Sequence, residues 1–197
     1  MALSHTQTFE TKLADYFRER LQAQAKNLAQ APQDDTFWYL GQLLARLGHR
    51  DQFFTYEQGE LSVRPLALLY HDALQSEGHE RCLLLRQLGD MALFLGALFP
   101  ERYARKGIGK DYFVGMGGGA YDYLAEHARQ LRHVFEELAN GFAHMLDLIA
   151  ATCAKQQQFD ASDILALYQR WHQSGDKFAK RQLEALGISL QGDRRPN

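Results

Sequence analysis

Arg86 and Asp90 lie four apart within CLLLRQLGDMALFLGALF (82–99), a run otherwise almost wholly apolar. On a buried helix the two charges share a face and can pair. An isolated buried charge costs several kcal/mol, so pairing is required. They read either as a structural ion pair or as charged groups lining an internal pocket. Just beyond them, DYFVGMGGGAYDYL (111–124) packs four glycines into five positions, Gly115 and Gly117 to Gly119. Each helical glycine costs ~1 kcal/mol relative to Ala, so some contact should compensate. Gly115 and Gly119 are four apart, on one face with Tyr112, Met116 and Tyr123. Such a face lets a second helix or a flat ligand approach the backbone. The expected site is therefore Arg86, Asp90, Tyr112, Gly115, Met116, Gly119 and Tyr123, as a close helix crossing or as one wall of a ligand pocket. A phosphate loop is excluded, since Gly-x-Gly-x-x-Gly is absent and Ala104 stands where a P-loop ending in Gly109-Lys110 needs its first glycine.

Three other constellations carry weaker chemistry. His133, Glu137, Asn140, His144 and Asp147 share a helical face, but that face lies some 180° from the Leu131, Phe142 and Ile149 seam and should be solvated. No Glu-x-x-His occurs, against a ferritin-like di-iron site, and His79-Glu80 lacks the second His of a His-Glu-x-x-His zinc motif. LALLYHDALQ carries adjacent His71 and Asp72. This resembles the paired His-Asp of the all-helical HD-type metal-dependent phosphohydrolases. The resemblance implies His49 as the upstream ligand, Asp122 or Asp147 downstream, and metal-dependent phosphoester hydrolysis through His49, His71 and Asp72. It covers about ten residues, and His-Asp-Ala-Leu lacks the glycine that often follows the family's pair. His71 and Asp72 also point away from the stripe Leu66, Leu69, Tyr70 and Ala73. Finally, Arg170, Lys177, Lys180 and Arg181 flank a turn-like Ser174-Gly175-Asp176, which mimics a helix-turn-helix DNA reader. Six Lys/Arg against three Asp/Glu between 170 and 195 make a weak basic field for that role.

The elements that must position these residues are helical. The chain of 197 residues contains 30 Leu and 24 Ala against only 3 Val, 4 Ile and 6 Thr. Leu and Ala lose little freedom in helices, and a sheet needs the β-branched residues this chain lacks. The expected fold is all-α, a single-domain bundle of six or seven helices (1–190) with a disordered tail (191–197). The predicted helices are 8–30 capped by Thr8, 37–47 ended by Gly48, a third that starts over Ser62–Pro65 with Pro65 in its first turn and is ended by Gly78, 79–99 stopped by Pro100, the glycine segment, 130–155, and 162–186 bent near Gly175. Residues 49–64 form a longer connection whose Phe53, Phe54 and Tyr56 should fold back onto the core. The 79–99 helix is apolar nearly all round, Leu83 included, and belongs at the centre of the bundle.

LGDMALFLGALFPE (88–101) and DYFVGMGGGAY (111–121) resemble a set of uncharacterised bacterial all-helical proteins, in which an LGD-x-x-LF-x-x-x-LFPE run precedes DYY-x-x-x-G-x-x-AY. The resemblance implies a bacterial helical protein and transfers no activity. Cys82 and Cys153 sit in apolar patterns and read as buried reduced thiols. The N-terminus lacks the basic start and apolar run of a signal peptide, so the expected compartment is the cytoplasm. A net charge of -2 and a pI of about 6.4 recruit neither nucleic acid nor an anionic membrane. The expected function is a non-catalytic module that binds a small molecule or a protein partner, as a homodimer, with no cofactor identified. The hydrolase and the DNA-binding regulator are the alternatives.

Overall fold

Helix α1 spans Ala2–Ala25 and α2 spans Asp34–Arg46. Asp34 and Asp35 open α2 and Arg46 closes it, each charge matched to the helix dipole. An antiparallel hairpin of two four-residue strands follows, β1 (Phe54–Glu57) and β2 (Glu60–Val63), with Phe54 opposite Val63. Then come α3 (Leu66–Gln75), α4 (Gly78–Leu98) and the short α5 (Pro100–Ala104). A single helical run continues through α6 (Lys110–Phe113), a π-helical turn (Val114–Gly118) and α7 (Gly119–His127). Helices α8 (Arg132–Asn140), α9 (Phe142–Cys153) and α10 (Ala161–Ser174) complete the order. The computed structural model describes residues 2–26, 28, 30–46, 54–57, 60–153, 161–177, 179, 180 and 183.

The architecture is an all-α bundle around one contiguous core, and among the described residues the hairpin is its only sheet. Helix α4 is the central element. It packs against α3, α5, α6, the π turn, α7 and α9, and Leu88, Met91, Ala92, Leu93 and Leu95 on it are buried. Among the described residues no helix is long and apolar enough to cross a membrane.

Several boundaries differ from the sequence reading. Thr8 lies inside α1 rather than capping it, and α1 ends at Ala25 rather than near residue 30. The expected 130–155 helix is two helices, because Gly141 leaves the helical conformation (φ -106, ψ 16). The apolar seam runs on across the break: Phe135, Leu138, Phe142, Met145 and Ile149 are all buried. The connection 49–64 contains the hairpin; Phe53 and the side chains of Phe54 and Tyr56 lie outside the described residues, as do Leu47, Gly48, His49, Arg181 and the tail 191–197. Helix α10 ends at Ser174, where Gly175 takes the left-handed φ of +65 that glycine tolerates. Leu83 and Tyr70, both expected on buried stripes, are 54% and 44% exposed.

Candidate functional site

Asp90 is a carboxylate inside the core, 5% exposed. It is sustained by donors from two other helices. Tyr39 of α2 donates its hydroxyl to Oδ1 at 2.5 Å, and Tyr121 of α7 donates to the same oxygen at 2.8 Å. Both tyrosines are fully buried. Arg86 does not pair with Asp90 directly: its Nε donates to the Tyr39 hydroxyl at 3.1 Å, and its guanidinium lies over the Tyr39 ring, 5.1 Å from the centroid. The direct Arg86–Asp90 ion pair expected from the spacing is thus replaced by a relay through Tyr39. Burial raises the Asp90 carboxyl above its usual value, while the two tyrosine hydrogen bonds and Arg86 pull the other way. Burial, then the adjacent Asp90 charge, hold both tyrosine hydroxyls well above their usual value.

Glycines make this cluster possible. A Cβ on Gly89 would lie 2.7 Å from Tyr121 Cε1, so the bare backbone of α4 is what lets that ring stand beside Asp90. Phe135 stacks on Tyr121 from α8 and meets Tyr39 edge-on, binding α2, α7 and α8 around the same carboxylate. Gly117 in the π turn is buried, and a Cβ there would enter the Phe142 ring and stand 2.9 Å from Ala92 Cβ. The close crossing therefore runs through Gly117.

The expected crossing through Gly115 and Gly119 is not there: both are exposed, with nothing within 4 Å of an added Cβ. The widened π turn rotates the face that the α-helical spacing assigned inward. Tyr112 is 37% exposed; Met116 and Tyr123 are partly buried against the core. Tyr123 is sandwiched into side-chain contacts of its own, with Arg81 over its ring at 4.8 Å and His127 stacked at 4.0 Å. The seven expected residues thus divide. Arg86 and Asp90 belong to the internal cluster, while Tyr112, Gly115, Met116, Gly119 and Tyr123 follow the outer side of the π turn and α7 and make no hydrogen bond to Asp90. Tyr39 and Tyr121 are the members that spacing did not single out.

The other constellations separate similarly. His71 is exposed, and Asp72 is ion-paired with Arg64. Among the described residues, no three His, Cys, Asp or Glu side chains gather into a group able to hold a metal. The polar stripe is exposed except at Glu137, whose carboxylate accepts from Gln33 N–H at 3.1 Å and from the buried Thr36 hydroxyl, capping α2 from 104 residues away. Glu137, Asn140 and His144 also edge an open cleft of about 680 Å³ beside Pro32, floored by Met145. His133 and Asp147 pair with Asp35 and Lys110 at 2.8 and 2.6 Å. Arg170 is paired with Asp176 at 2.8 Å, which diverts one of the four cations of the suggested DNA reader.

Among the described residues, several large apolar side chains stand on the surface. Leu68 (52%), Tyr70 (44%) and Leu74 (48%) of α3 and Leu83 (54%) of α4 are exposed. They belong to one helical hairpin, whose inner face is formed by Leu66, Leu69 and Ala73. Comparison of the chain with protein-family models, with curated proteins and with solved structures finds no match.

Proposed function

We propose that the protein is a non-catalytic helical module that binds a protein partner through the outward side of the α3–α4 hairpin. The carrying observation is that four of the large exposed apolar side chains, Leu68, Tyr70, Leu74 and Leu83, come from this hairpin. Scattered exposed leucines are ordinary, whereas grouped ones mark contact surfaces. Among the described residues helix α3 packs chiefly on α4. The non-catalytic part is supported by the internal cluster. Asp90 is buried and supplied with two donors of its own, so it has the character of a structural key rather than of a group presented to substrate.

The test is site-specific photo-cross-linking in cells, with a photoreactive side chain at Tyr70 and a control at exposed Asp122. A defined polypeptide adduct at 70 and none at 122, identified by mass spectrometry and reproduced with the purified partner, is the expected result. Equal labelling at both positions, or none at 70, overturns the reading.

A further inference from the structure

We infer that the cleft between the segment before α2 and the α8–α9 junction binds a small primary ammonium ion, with Glu137 holding the charge and Pro32 and Met145 carrying the apolar body. The site shares no residue with the α3–α4 face, so it stands or falls independently of the partner reading. The polar stripe of α8 and α9 builds it. His133 and Asp147, at the ends of the stripe, are paired with Asp35 and Lys110. Glu137, Asn140 and His144, between them, edge the cleft of about 680 Å³ instead.

The middle of the stripe is left available. Asn140 and His144 are exposed, and among the described residues their side chains have no hydrogen-bond partner. Gly141 keeps the floor between them clear, because a Cβ there would stand 3.2 Å from Glu137 O and 3.4 Å from Met145 Cε. Pro32 and Met145 are buried and make that floor apolar. A cavity of ~300–1,000 Å³ with an apolar floor and a few placed polar groups is the general form of a small-ligand site.

Charge selects the ligand. Among the described residues that line the cleft, Glu137 is the only carboxylate and none is Lys or Arg. The Glu137 carboxylate is half-buried and meets neutral donors, the Gln33 N–H and the Thr36 hydroxyl, with no described cation beside it. A carboxylate offers about four acceptor positions. Oε2 receives both donors, whereas Oε1 receives only the Gln33 N–H, at 3.2 Å. Oε1 can therefore accept a further N–H, and an ammonium supplies both that donor and the missing positive charge. The same carboxylate opposes anions. A metal ion lacks a ligand set, since no three His, Cys, Asp or Glu side chains gather among the described residues.

Titration of n-pentylammonium chloride into the isotope-labelled full chain, followed by NMR at constant ionic strength, tests this directly. Saturable shifts centred on Glu137, Asn140, Gly141 and His144 are expected, with a Kd of ~1 mM or tighter for a ligand this small. The matched neutral and anionic probes, 1-pentanol and pentanoate, should bind at least tenfold more weakly. Glu137→Gln keeps an acceptor for Gln33 and Thr36, and should weaken pentylammonium at least tenfold with the helical circular dichroism unchanged. Asn140→Ala combined with His144→Ala, both at exposed positions, should weaken it as well and carries the test if Glu137→Gln does not fold. Shifts spread equally over exposed carboxylates such as Asp122 and Glu126, pentanol or pentanoate binding as tightly, or full affinity in both variants overturns the inference. An acetylated, amidated lysine that binds at least tenfold more tightly than pentylammonium overturns the small ligand in favour of a partner's lysine side chain.

Discussion

The Tyr39 hydroxyl stands between two charges that α4 places four residues apart, donating to Asp90 at 2.5 Å and accepting from Arg86 at 3.1 Å. Helix α2 is thereby locked to α4 by a hydrogen-bonded link across 51 residues of sequence. Tyr121 adds α7 to the same carboxylate. A buried acceptor with two buried donors specifies how three helices register, which apolar packing alone leaves loose.

Removing that acceptor should be costly. Asp90→Ala leaves the Tyr39 and Tyr121 hydroxyls buried without a partner, at ~1–3 kcal/mol each, so a loss of about 2–5 kcal/mol is expected in urea unfolding. Asp90→Asn keeps an acceptor oxygen and should lose about 1 kcal/mol. Equal losses in the two variants would show that the hydrogen bonds contribute little.

Proton linkage should follow the same cluster. The folded chain raises the Asp90 carboxyl above its usual 3.8 through burial, so it holds this proton more tightly than the unfolded chain. Asp90's contribution is then complete below about 3.8 and declines as pH rises through the folded value. The stability gap between wild type and Asp90→Asn should therefore change as pH rises from about 3.8 through the folded value and flatten beyond it. Tyr39 and Tyr121 are raised well above 10.0, chiefly by burial, so their contribution is complete below about 10 and falls above it. In an alkaline absorbance titration, at least two of the nine tyrosines should ionise only together with unfolding. Nine independent titrations near the ordinary value would contradict this.

Glycines two residues apart should respond with opposite signs. Gly117→Ala drives a methyl group into Phe142 and Ala92, and overpacking of that kind costs ~1–3 kcal/mol. Gly119→Ala meets open space on a helix and should stabilise by up to ~1 kcal/mol. Thermal melts of the two variants suffice; a destabilised Gly119→Ala would reveal a contact on the outer side.

Glu137 should behave as a cap supplied from a distant helix. Glu137→Ala leaves Gln33 N–H and the buried Thr36 hydroxyl without their acceptor and should cost about 1–2 kcal/mol. Glu137→Gln should retain much of it. A neutral Glu137→Ala would mean that water replaces the carboxylate.

Metal analysis addresses the hydrolase alternative. With Asp72 held by Arg64 and His71 exposed, the His71→Ala and Asp72→Asn pair is expected to leave the metal content of the purified protein unchanged. Stoichiometric Mn, Fe or Zn lost on this double substitution would restore the enzyme.

The central helix was legible because an all-round apolar pattern has only one stable environment, and the buried status of Asp90 followed from its place in that pattern. Its donors were not legible. A tyrosine at a core position looks the same in sequence whether its hydroxyl meets water or a carboxylate, and Tyr39 and Tyr121 come from distant segments. Spacing offered Arg86 instead, the nearest charge along the helix. The inward glycine was misassigned because Gly115 and Gly119 align only at α-helical pitch, which the π turn breaks. The break at Gly141 was hidden by a seam that keeps its rhythm through it. Tyr70 of α3 and Leu83 of α4 fall on apolar stripes in the sequence yet are exposed, because hydropathy records what a side chain prefers and says nothing of whether a neighbour is there to cover it.

The π turn at Val114–Gly118 also sets what kinds of genetic change this chain can survive. A π turn is an α turn holding one extra residue. Losing one residue within it would return the segment to ordinary pitch with the helical stretches on either side still in phase, because the turn absorbs its extra residue locally. The same loss in α4, which has no such turn, would swing everything beyond it by about 100° and take Asp90 or its neighbours out of the core. Substitutions at the outward Gly115 and Gly119 are open to drift, and so is the length of the turn by one residue. Descendants of this sequence should therefore tolerate a shorter stretch between 114 and 118 and keep the length of α4.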